Sequence, residues 1–376
     1  MLPKSRLVAA AAAAGTVCAL AAAGAAMAAP TPLWSKHNPA VPNAFTNTTP
    51  ALSAIDVNGL QGTFLAWKGQ FDNKVQYKIK VNGKWHATKA IPGADTNTSP
   101  SAALFATTKG REAVLVAWKT IAHTGLSTIK YSDGVVSNNG SISWTKPVVL
   151  PGGKFSHTSA SPAVLFPVNT KNARVIVAYR GPFNHVRVEI GTESGAKGRA
   201  FTWGTSTVKS AWISGGTKAE PTTTSAQPAL TEIIGAGGNG TVYVFWKGNK
   251  TGDAPISYAS TPDNAGTGLT GAASVHWTLL GSVKDSGGLA GLAQTTGSPA
   301  VASADIHGDG PLLLAYKGPS GFNIRFQILS AGVWSQPHKF VNGNNNTTAL
   351  GPALVHGTLA NVSRTDARIF LHHFNG

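Results

Sequence analysis

Five cations occupy equivalent places in a recurring pattern: Lys68, Lys119, Arg180, Lys247 and Lys317. Each ends an apolar run that closes on an aromatic residue, as in Phe64-Leu65-Ala66-Trp67-Lys68 and Ile176-Val177-Ala178-Tyr179-Arg180. Like charges gathered on one face raise the local potential and draw an anionic or polyhydroxylated ligand. Aromatic residues follow at Phe71, Phe183 and Phe322, while Trp212 lies outside the pattern. Exposed rings stack on sugar faces, with polar neighbours fixing orientation. These nine residues are the candidate ligand-binding set. A Lys at a strand end is more commonly a solvated cap that blunts edge pairing. Trp67, Trp118 and Trp246 are expected in the core, because they belong to the repeat itself.

Other constellations are weaker. Asp305-Ile306-His307-Gly308-Asp309-Gly310 spaces carboxylates like a calcium loop, but occurs once and without a third carboxylate nearby. It reads as a turn. His372 and His373 lack the spaced partners of a metal site. No Ser-His-Asp order, phosphate loop or nucleotide motif stands out, and no cofactor is expected.

The elements that must position these residues are repeated six times. A Pro-small-apolar start recurs at Pro50, Pro100, Pro162, Pro228, Pro299 and Pro352. The apolar segment ending in an aromatic and a cation recurs at spacings of 51 to 70 residues, with Ile369-Phe370-Leu371-His372-His373 as a degenerate sixth copy. A late tryptophan closes five copies: Trp85, Trp144, Trp203, Trp277 and Trp334. The sixth tryptophan is Trp34, upstream of the first repeat. Each repeat therefore reads as a blade of about four short strands, and the N-terminal segment completes the C-terminal blade. The expectation is an all-β, six-bladed β-propeller. Its sixth blade is expected to be one strand short, since no third strand is evident there.

Composition agrees. Charged residues are 12% of the chain, about half the usual share, and glycine is abundant at 43 residues. That excludes a coiled coil, a helical bundle and a charge-rich disordered chain. Residues 1–29 read as a signal peptide: Lys4 and Arg6 precede an apolar run from Leu7, and small residues close it before Pro30. The lone cysteine, Cys18, lies within that segment, so the mature protein has no disulfide. Residues 30–376 are then one secreted, extracellular domain with no membrane span. Removing Lys4 and Arg6 takes the net charge from +16 to +14. A basic secreted chain meets anionic glycans and cell surfaces; with no basic tail, nucleic acid is not an expected partner, and a monomer is expected.

The order of strand start, "AWKG" strand, "YS" strand and late tryptophan resembles the six-bladed sialidase-like propellers, whose repeats carry an Asp-box. The nearest match to that box is Ser137-Asn138-Asn139-Gly140 before Trp144. The resemblance implies a ring with its site on one face. A sialidase-type site would need an arginine cluster, an acid, and a tyrosine nucleophile helped by a glutamate. No signature gathers three of the eight mature arginines, and only fifteen acidic residues exist in all. Glu189 and Arg187 share one side of a strand and could pair. The favoured expectation is a carbohydrate-binding, lectin-like propeller that recognises a polar or anionic glycan. The alternative is a diverged sialidase-like glycoside hydrolase. A protein-binding scaffold would present an exposed apolar patch instead.

Overall fold

A computed structural model describes residues 33–34, 40–107, 111–121, 127–151, 160–167, 174–181, 184–194, 200–203, 222–235, 239–263, 277–284, 292–303, 310–319, 323–330, 332–340, 350–355, 358–363 and 366–375. Among them there is no α-helix. The strands form six antiparallel sheets. Blade 1 runs Ala51–Val57, Leu60–Lys68, Lys74–Val81 and Lys84–Trp85. Blade 2 runs Ser101–Ala106, Glu112–Lys119, Ile129–Val136 and Ile142–Trp144. Blade 3 is Ala163–Leu165, Arg174–Arg180, Val186–Ser194 and Ala200–Trp203. Blade 4 is Ala229–Ile234, Gly240–Lys247, Ala254–Asp263 and Thr278–Ser282. Blade 5 is Ala300–Ser303, Leu312–Lys317, Ile324–Ser330 and Val333–Trp334. Blade 6 is Ala353–Val355, Thr358–Val362 and Arg368–Asn375, with Leu33–Trp34 as its outer strand.

The chain is a six-bladed β-propeller closed by its N-terminal strand. Leu33 and Trp34 pair with Asn375 and Phe374, and Ala40–Phe45 pairs with the same strand. Closure shows in the packing as well, because apolar layers fill every seam of the ring. Blades 1 and 2 share Phe64, Tyr77, Val116 and Trp118. Blades 2 and 3 share Leu115, Tyr131, Val177 and Tyr179. Blades 3 and 4 share Ile176, Val188, Val244 and Trp246, and blades 4 and 5 share Phe245, Ile256, Leu314 and Tyr316. Blades 5 and 6 meet at Leu313, Phe326, Phe340 and Leu359. Val41, Ala44, Trp67 and Leu371 fill the seam between blades 6 and 1.

The repeat markers have physical roles. The strands after the prolines line the central channel, a narrow cavity of about 100 Å³. Trp67, Trp118 and Trp246 lie in the seams, 0%, 0% and 3% exposed. The late tryptophans of blades 2, 3 and 5 reach across a seam to the third strand of the preceding blade. Trp144 packs on Tyr77, Trp203 on Tyr131 and Trp334 on Tyr258, each edge-on at 5.3–5.7 Å. Trp203 and Trp334 also donate from Nε1 to those tyrosine hydroxyls, at 3.1 and 3.3 Å. Asn58-Gly59 and Asn82-Gly83 take positive φ at both residues, the backbone of a two-residue hairpin turn whose twist suits the flanking strands.

The sixth blade departs from expectation in two ways. It has its full set of strands, and Ile369–His373 lies on the third strand, not the second. The register identifies the true second strand. Ala66, Ala117, Ala178, Phe245, Ala315 and Ala360 each face the first residue of their blade's inner strand. The aromatic position beside them is therefore Asn361 in blade 6, and the cation position is Val362. Asn361 is buried and accepts a hydrogen bond from His372 Nε2 at 2.8 Å. The burial of that histidine, with its neighbour His373, lowers its pKa to about 4 and keeps the ring neutral. A short second strand with Asn361 and Val362 in place of the aromatic and the cation hid the repeat, and an apolar third strand bearing two histidines imitated it.

Candidate functional site

Propeller geometry places the ends of the second strands, the loops from second to third strands and the connections between blades on one face. Pro50, Pro100, Pro228, Pro299 and Pro352 line the channel and put its mouth on the same face. Four of the connections show a common device among the described residues, invisible to a search for aromatic and charged markers. A threonine stands four residues before every proline: Thr46, Thr96, Thr158, Thr224, Thr295 and Thr348. Thr46, Thr96, Thr224 and Thr295 are fully buried, and each accepts the backbone N–H two residues on at 3.1 Å. Such hydroxyl caps tighten a turn without a helix or ladder. Thr96 Oγ1 also donates to Lys119 O at 2.7 Å, fastening the connection to the second strand of blade 2. Thr158 and Thr348 lie outside the described residues.

The candidate cations lie beneath this face. Lys68, Lys119 and Lys247 are buried, and Arg180 and Lys317 are half-buried. Lys68 Nζ donates to Asn47 Oδ1 at 3.1 Å and Gly69 O at 3.0 Å. Lys247 Nζ donates to Ser225 Oγ at 3.1 Å and Lys250 O at 3.2 Å. Asn47 and Ser225 each follow a capping threonine, so the two lysines bind strand end and connection together. The Arg180 guanidinium holds Asn184 Oδ1 through Nε at 2.9 Å and through a second nitrogen. Burial pushes the pKa of Lys119, Arg180 and Lys247 down, and for Lys247 the nearby Asp253 works against that shift.

Phe71 is different. It is 92% exposed, in the loop between the second and third strands of blade 1. The loop around it is pinned. Gly69 N donates to Lys74 O at 3.0 Å, Gln70 N to Phe45 O at 3.2 Å, and Lys74 N to Asp72 Oδ1 at 3.3 Å. Gln76 Nε2 reaches both oxygens of Asp72, at 3.4 and 3.3 Å. An apolar ring held in water on a fixed loop is pre-organised for contact. Phe183, Trp212 and Phe322 lie outside the described residues, as does the turn-like stretch 304–309.

The described lining of the channel contains no Asp, Glu or Arg. Its polar groups join neighbouring blades instead. Gln227 Nε2 donates to Pro162 O at 2.7 Å, Gln227 N to Ser298 Oγ at 3.2 Å, and Thr49 Oγ1 to Gly351 O at 3.2 Å. Elsewhere, Tyr179 does pair with a glutamate, donating to Glu189 Oε1 at 2.7 Å. That pair is sealed in the seam between blades 2 and 3, with Tyr179 1% exposed. Burial and the Glu189 charge push the phenol pKa up, opposite to the direction an activated nucleophile needs.

No family model matches the chain, and no curated protein matches it. Solved structures do resemble it. One is the GH93 α-L-arabinofuranosidase of Fusarium graminearum in complex with arabinobiose. It is 10% identical, with a TM-score of 0.56 over 90% of this chain and 97% of that one. The α-L-arabinanase of Penicillium chrysogenum, complexed with arabinobiose, is 14% identical, with a TM-score of 0.50 over 91% and 98%. A fucose-specific lectin from Aleuria aurantia is 12% identical, with a TM-score of 0.50 over 87% and 91%. At such identities the likeness is one of fold.

Proposed function

We propose that this chain is an exported carbohydrate-binding propeller that recognises a polar or anionic glycan, without chemistry, on the face bearing Phe71. The observation that carries the reading is the exposed Phe71 ring on a loop pinned from both sides. Sugar rings present an apolar face of C–H groups, and an aromatic platform removes it from water. The remaining aromatics of the candidate set, Phe183, Trp212 and Phe322, would extend that platform. The buried cations beneath it contribute field rather than direct contact, since Lys68 and Lys247 already hold local oxygens. A hydrolase would need two carboxylates converging about 5–10 Å apart. The described channel lining supplies neither, and this favours binding over the diverged sialidase-like alternative.

A glycan array read at about 0.15 M and 1 M salt tests the proposal. The Debye length shrinks from about 8 Å to 3 Å across that range. A set of structurally related glycans should stay bound at both concentrations. Signals that vanish at high salt would reduce the interaction to diffuse attraction by a basic surface. Cleavage of a bound glycan would turn the reading to the hydrolase.

A further inference from the structure

On the opposite face, between blades 1 and 2, lies a larger crevice of about 920 Å³. One wall is the first hairpin of blade 1, with Asp56 and Asn58. The floor is the start of blade 2's second strand, Arg111 and Glu112, with Val57, Val135 and Val136 supplying apolar surface. The far wall is the turn from Ser137 to Ser141, the stretch nearest in sequence to an Asp-box. Asn139 does there what an aspartate would do. Its Oδ1 accepts from Ser137 Oγ at 2.6 Å and from Ser141 N at 2.9 Å. That leaves Asn138 exposed at the rim.

The polar groups converge with capacity to spare. Glu112 Oε1 accepts Asp56 N at 2.5 Å, and Asp56 Oδ1 accepts Gly59 N at 2.6 Å. Each carboxylate thus keeps its second oxygen for a ligand. Arg111 and the amides of Asn58 and Asn138 supply donors at the same opening. Charge narrows the ligand class. Asp56 and Glu112 would repel an anionic glycan, and a polycation would be opposed by the net charge of the chain, +16. A crevice of this volume lies within the range of small-ligand sites, about 300–1,000 Å³. Paired acceptors and donors over a partly apolar floor suit a neutral molecule bearing many hydroxyls.

We infer that the crevice between Asp56, Glu112 and Asn138 is a second ligand site, for a neutral oligosaccharide. The site shares no residue with the Phe71 face and does not depend on it. With both sites occupied, one chain would bridge two glycans. Sugar hydroxyls would donate to Glu112 and Asp56, giving charge-assisted bonds that are stronger than neutral ones. Burial holds the Glu112 carboxyl at about 7, so the stronger acceptor is present above neutrality. Asp56 and Arg111 are the other titratable groups among the described lining residues.

The test uses the mature chain on an array of neutral oligosaccharides, with the best-bound one taken to calorimetry at pH 6 and 8. The expected result is binding at least tenfold weaker in Glu112→Gln at pH 8, with the difference shrinking at pH 6. Asn138→Ala, an exposed turn position that leaves the fold intact, should weaken the same glycan severalfold. Phe71→Ala separates the two faces, because it reports only on the other one. Unaltered neutral-glycan binding in both Glu112→Gln and Asn138→Ala would overturn the inference. So would an array on which the wild type binds no neutral oligosaccharide.

Discussion

Glu112 sits half-buried where blade 1 meets blade 2, and burial raises its carboxyl from 4.5 to about 7. The backbone N–H of Asp56 opposes that shift, and the Asp56 charge adds to it. A carboxyl whose pKa is raised by folding binds its proton more tightly in the native state. Its stabilising effect is therefore complete below about pH 4.5 and is lost as the pH climbs through 7. A fully buried group with this shift would contribute about 3 kcal/mol. The crevice is open to solvent, so a loss of about 1–2 kcal/mol is expected between pH 5 and 8. Thermal melts should show the midpoint falling by a few degrees over that interval. In Glu112→Gln, which keeps an oxygen for Asp56 N, this component of the fall should disappear. An identical pH profile in the variant would contradict this account of the carboxyl.

Elements explain what could be read in advance and what could not. Strands in blades 1 to 5 were legible because each second strand must bury an aromatic in a seam, which forces Trp or Tyr into one position. Blade 6 meets the same need with Asn361 hydrogen-bonded to His372, so its second strand lacks the aromatic that marks the others. The Asn-Gly turns sit where the backbone takes positive φ, which selects those residues. The threonine caps were not legible, since Thr is common in strands and only its distance from proline marks it. Their contribution is measurable. Thr96→Val keeps the shape but removes the partner of Lys119 O, at the buried end of a strand, and of Thr98 N, in the connection. It should cost about 1–3 kcal/mol in denaturant melts. A value near zero would mean the connections are held by packing alone. Of the candidate set, Phe71 is exposed, while Lys68 and Lys247 are bound into the connections, a use of strand-end cations that the residue pattern alone does not distinguish from ligand binding.

The whole molecule depends on its seams closing in a circle. The segment Leu33–Phe45 supplies both outer strand pieces of blade 6 and puts Val41 and Ala44 into the core against blade 1. A chain beginning at Thr46 would leave the strand Arg368–Asn375 as an open edge beside an unfilled seam, a template for aggregation. It should lose its single cooperative melt or become insoluble, while a chain beginning at Pro30 should fold normally. Equal melting midpoints for the two would mean the ring does not need its N-terminal closure. Under the proposed function, the closed ring holds the loop that carries Phe71, so that one exposed aromatic would serve as a platform. Calorimetric titration of the best-bound array glycan into wild type and Phe71→Ala, at about 0.15 M salt, tests this most directly. The account predicts binding at least tenfold weaker in the variant, with an unchanged melting midpoint. Equal affinity in the two proteins would contradict it.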